Sequence, residues 1–75
     1  MTDKIQEAIR GCQRDVIVAA EQKLGRALTE SERLGIQKIT SLMMLDSCCQ
    51  SFSSAAYTQA QVLADLEHFA KQAQQ

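Results

Sequence analysis

Leu24-Gly25-Arg26-Ala27-Leu28-Thr29-Glu30-Ser31-Glu32 places a helix stop and a helix start within nine residues. Gly25 tolerates the left-handed conformation that ends a helix. Thr29 can accept the backbone N–H of Glu32, and the Glu32 side chain can reach back to the N–H of Thr29. This reciprocal pair is a capping box. So short a link favours antiparallel neighbours.

Upstream of the link, apolar residues recur at Ile5, Ile9, Cys12, Val16 and Ala19, in steps of four and three. That is a helical stripe. Ile17, Val18 and Ala20 widen it, and Thr2-Asp3 makes a helix start, with Asp3 favoured at the positive end of the helix dipole. Downstream, a second helix is expected to run from Glu30 to about residue 50. Folding the chain about residue 27 sets Ala19 near Gly35, Val16 near Ile39, Cys12 near Leu42 and Met43, Ile9 near Leu45, and Ile5 near Cys49. Small faces small and large faces large, which supports an αα-hairpin.

Leu42-Met43-Met44-Leu45 covers more than one helical turn, and a helix apolar all round at one level is expected to be buried all round. Helix 1 covers only one side. The stretch Ser47–Ala64 then carries no charge, and Ser47–Ser54 (SCCQSFSS) is poor in helix formers, so the chain is expected to break there. Thr58 and Gln61 fit a second capping box, flanked by Tyr57 and Val62 as a hydrophobic staple. A third helix carries Val62, Leu66, Phe69 and Ala73, and the final KQAQQ reads as a frayed tail. The alternative is one continuous helix from Glu30 to about Gln72, which needs a second copy to cover it. Either way the reading is all-α and a single domain over residues 1–75: a helical hairpin plus a third C-terminal helix, or a dimeric hairpin with one long second helix.

Composition agrees. Proline is absent, glycine occurs three times, and the aromatics are Phe52, Tyr57 and Phe69. The net charge of −1, with acids and bases interleaved through residues 3–38, disfavours nucleic-acid binding, which calls for a basic face. No apolar run is long enough for a membrane span, and the N-terminus has no signal-peptide core. Three cysteines, two of them adjacent, suit a disulfide framework poorly and point to a reducing cytoplasm.

Chemical sites are not expected. Cys12, Cys48, Cys49 and His68 have the residue types of a zinc site but not the spacing, and adjacent Cys48 and Cys49 point about 100° apart on a helix. Packing as small hydrophobes explains the cysteines. A thiol nucleophile needs a base and an electropositive pocket, and the one histidine, His68, sits on an amphipathic helix among Glu67, Phe69 and Lys71. No catalytic residue, metal or cofactor is therefore expected, and no enzyme activity. Arg10 and Arg14, one turn apart with Lys4 nearby, form the candidate anion or nucleic-acid face; a solvated face beside Glu7 and Asp15 accounts for them more simply.

The charge-free tract is the most informative feature. Interface cores are depleted in charge and enriched in Met, Tyr and Phe. Met43, Met44, Phe52 and Tyr57 are therefore the expected partner or dimer contacts, and a homodimer or another protein partner is the expected association. A chain of 75 residues hides little of its surface alone, which argues the same way. Finally, LGRALTESERLGI (residues 24–36) resembles helix–turn–helix-start segments of short phage and plasmid proteins, all-helical accessory proteins such as anti-CRISPR inhibitors among them. That resemblance implies a mobile-element inhibitor or adaptor acting by protein contact, and it assigns no residue a role.

Overall fold

The computed structural model describes residues 2–73, and side chains from residue 4 onward. The Thr2-Asp3 side chains and the last two residues of the tail lie outside the described residues. The chain is all-α, with four helices among the described residues: α1 (Thr2–Leu24), α2 (Glu30–Gln37), α3 (Leu42–Ser53) and α4 (Gln59–Ala73).

α1 ends as its sequence dictates. Gly25 has φ +70°, and its N–H donates to the Glu21 carbonyl at 2.8 Å. The Leu28 N–H is taken by the Glu21 carboxylate at 3.0 Å. The Thr29 capping box is formed in both directions, with Glu32 N to Thr29 Oγ1 at 3.2 Å and Thr29 N to Glu32 Oε1 at 2.8 Å. Arg26 grips the same Glu32 carboxylate with both terminal nitrogens, at 3.1 and 3.2 Å. These bonds, Arg26 foremost, hold the Glu32 carboxyl below its ordinary pKa.

The expected second helix is two helices. α2 stops at its C-cap, Lys38, and α3 begins after the N-cap Ser41, whose hydroxyl accepts the Met44 N–H at 3.3 Å. The cause lies on α1. The buried Gln13 amide donates to the Gln37 carbonyl at 3.0 Å and the Ile39 carbonyl at 2.7 Å, satisfying acceptors that a continuing helix would have used itself. The chain therefore turns back. α3 starts beside Gln13 and ends beside Lys23, whose ammonium donates to the Ser54 carbonyl at 2.5 Å. α3 thus runs parallel to α1, and the pairings Ile9–Leu45 and Ile5–Cys49 expected of an antiparallel hairpin are replaced.

The second break is also displaced. Ser47–Ser53 is helical, and the chain leaves the helix only at Ser54. Packing overrides weak propensity here: Leu45 and Phe52, seven residues apart, are buried on one face, with Cys48 and Cys49 packed between them. α4 opens at the expected Thr58–Gln61 box, with bonds of 2.9 and 3.2 Å. A continuous helix from Glu30 is thus excluded. α4 starts beside the end of α1, where Gln59 donates to the Lys23 carbonyl at 3.0 Å, and descends to cross α2 at Gly35.

Val16, Ala20, Ile36, Leu45, Phe52, Val62 and Leu66 form the core, each 0–1 % exposed. α1, at about 1.5 Å per residue, is longer than its partners. Its first turns project past the bundle: residues 4–8 are exposed, and Ile9 is half-buried.

Candidate functional site

The four residues expected to share one contact surface are divided by the fold. Phe52 is 1 % exposed and belongs to the chain's own core. Tyr57 is half-buried beside it, with ring centroids 5.9 Å apart, and its hydroxyl donates to the Asp65 carboxylate. That bond, with some desolvation, pushes the Tyr57 pKa up to about 12. Met43 and Met44 instead face outward, 82 % and 41 % exposed. Leu45 alone of the Leu42–Leu45 run is buried, because α3 meets neighbours on one side only at this end.

Met43 and Met44 have neighbours that the sequence did not single out. Leu42 is 40 % exposed, Leu34 46 % and Ile5 58 %. One shallow groove runs past Met44, Ile39, Thr40 and Phe69. It shares Lys38 and Ala73 with a groove at Leu34, and Thr40 with another at Ile5 and Ile9. Met44, Leu34 and Ile5 thus border three adjoining grooves at the pole where α2 turns into α3, and Leu42 and Met43 are exposed at the start of α3 beside Met44. Among the described residues no carboxylate lines the three grooves, and Lys38 and Arg10 are their charged residues.

Cys12, Cys48 and Cys49 are free, half-buried thiols packed against the core. Burial, followed by the Asp65 charge, raises the Cys48 pKa, the opposite of what an activated nucleophile requires. His68 is exposed on α4 and lies beside Phe69, at a centroid distance of 6.2 Å. Among the described residues no three His, Cys, Asp or Glu side chains converge in a way that could hold a metal ion, and no helix is long and apolar enough to cross a membrane.

Arg10 and Arg14 line a groove of about 760 Å³ between α1 and α2. Arg33 of α2 joins them, with Gln13, Gln37, Ile17, Val18 and Glu21. Sequence reading missed Arg33 because its place opposite Arg14 depends on how α2 packs. The chain matches no family model, and no curated protein or solved structure is significantly similar to it.

Proposed function

We propose that this chain is a small helical protein-binding factor that works as a homodimer. The observation that carries the reading is the set of exposed apolar side chains Leu42, Met43 and Met44 on α3, with Leu34 and Ile5 on the grooves adjoining Met44. Contiguous exposed apolar surface marks association sites on soluble domains. Methionine suits such a surface, since its flexible thioether adapts to a partner. Two-fold pairing is the commonest way for a small chain to cover it. The Lys38 and Arg10 side chains can lay their stems along it while their charges reach water at the rim.

The same reading sets the protein in the cytoplasm, where its three thiols stay reduced. The resemblance of residues 24–36 to segments of phage and plasmid accessory proteins extends the proposal to a mobile-element inhibitor or adaptor, which acts by occupying another protein's surface. The test is isotope-filtered NMR on a mixture of methyl-labelled and unlabelled chains. Intermolecular contacts from the Met43 and Met44 methyls to Leu34, Leu42 or Ile5 are expected. Contacts confined to other helices, or none at all, would contradict the assignment.

A further inference from the structure

We infer that the groove between α1 and α2 is a docking site for an acidic amphipathic helix of a partner protein, held by Arg10, Arg14 and Arg33. The inference rests on the protein-binding reading and names the chemistry of what is bound.

Among the described residues, Arg10, Arg14 and Arg33 make no ion pair and no side-chain hydrogen bond, whereas Arg26, close by in sequence, is fully engaged by Glu32 and the Ala27 carbonyl. Three guanidinium groups on one groove repel one another unless an anion lies between them. Arg is also the side chain best suited to bidentate capture of a carboxylate. The wall beneath them is held firmly, since the Gln13 amide ties α1 to the Gln37 and Ile39 carbonyls. Arg10 and Arg14 stand one turn apart on α1, about 6 Å along the axis. Carboxylates four residues apart on a partner helix have that same spacing.

The rest of the groove selects the class of partner. Half-buried Ile17 and Val18, 44 % exposed, offer an apolar floor beside the charges. A helix with acids on one edge and an aliphatic anchor on the next answers both. A nucleic-acid backbone answers less well. Glu21 also lines the groove, but its carboxylate is engaged by the Leu28 N–H; the Ile17–Val18 floor offers nothing to a phosphodiester, and among the described residues no aromatic side chain lines the groove for base stacking.

The experiment is fluorescence anisotropy with three labelled probes: a synthetic helix bearing glutamates four residues apart on one side and leucines on the other, the same helix with glutamines for glutamates, and a DNA duplex. The glutamate helix should bind wild-type protein, weaken as salt rises from about 50 to 300 mM, and bind about tenfold more weakly to Arg14→Gln/Arg33→Gln. Both arginines are exposed, so the double variant should keep its melting curve, which checks that it is folded. Failure of the glutamate helix to bind, equal binding of the glutamine helix, or an unchanged affinity in the double variant overturns the proposal. A duplex that binds more tightly than the glutamate helix and is lost in the double variant also overturns it, and assigns the groove to phosphate. Self-association of the same variants, read by sedimentation, depends on Met43 and Met44 and reports separately on the protein-binding reading.

Discussion

Gly35→Ala should destabilise this protein although alanine is the better helix former. Gly35 is buried in α2, where that helix crosses α4. A Cβ at this position would lie 2.8 Å from both the Ala70 nitrogen and the Phe69 carbonyl carbon. Both are backbone atoms, so no side chain can swing aside. Restoring ordinary van der Waals contact means moving α4 away by roughly 0.6 Å, and a gap of that order forfeits a quarter to a half of each dispersion contact it opens. Overpacking typically costs about 1–3 kcal/mol, and the upper part of that range, about 2–3 kcal/mol, applies where only backbone can give way. The helix-propensity gain from Gly to Ala returns about 1 kcal/mol. A net loss of about 1–2 kcal/mol should remain, which in a chain of this size lowers Tm by about 4–15 °C. The control is Gly11→Ala on α1, where nothing lies within 4 Å of the added Cβ and only the propensity gain operates. Thermal unfolding of both variants, followed by circular dichroism at one protein concentration, should move in opposite directions. A Gly35→Ala protein that melts at or above the wild-type temperature would refute the close α2–α4 crossing.

Thr29→Ala should cost about 1 kcal/mol through loss of the α2 cap, read by urea denaturation; an unchanged midpoint would mean that the cap contributes nothing. Gln13→Ala leaves the Ile39 carbonyl without its buried donor and should cost about 1–3 kcal/mol, with loss of amide-exchange protection around residues 37–45; normal protection there would show that the turn forms without it. Tyr57, the sole tyrosine, should ionise at about 12 in the folded protein instead of 10, and Asp65→Asn should bring it down. Because the folded pKa is the higher one, the Tyr57–Asp65 contribution is complete below pH 10 and is lost as pH rises towards 12. Tyrosinate absorbance near pH 10 in the folded wild type would contradict the hydrogen bond.

What could be read from the sequence was what neighbouring residues settle among themselves. The Gly25 stop, the Thr29–Glu32 box and the Thr58–Gln61 box each depend on groups within a few residues, and each stands where its signature placed it. The turn at residues 38–41 depends on Gln13, 26 residues from Ile39, and no local pattern announces it. Misplacing that turn reverses the direction of α3 along α1, so the antiparallel register expected beyond Ile39 no longer applies. Ser47–Ser54 (SCCQSFSS) reads as a connector because its propensities are poor, yet only Ser54 leaves the helix, and Leu45, Cys48, Cys49 and Phe52 carry a helical stripe that argues for the rest. The same stripe marks Phe52 as core and leaves Met43 on the opposite face, with Met44 at the stripe's edge. Arg33 became a neighbour of Arg10 and Arg14 only through the packing of α2 on α1.

Sedimentation equilibrium over a micromolar concentration series tests the central claim most directly. The expected wild-type mass is near twice the 8.3 kDa of one chain, and a Met43→Glu variant should be near 8.3 kDa and stay folded, because Met43 is 82 % exposed and makes no part of the core. A charge at the seam would have to be buried unpaired on association, which is costly. A wild-type mass of 8.3 kDa across the series would contradict self-association through this surface, and so would a Met43→Glu protein that remains dimeric.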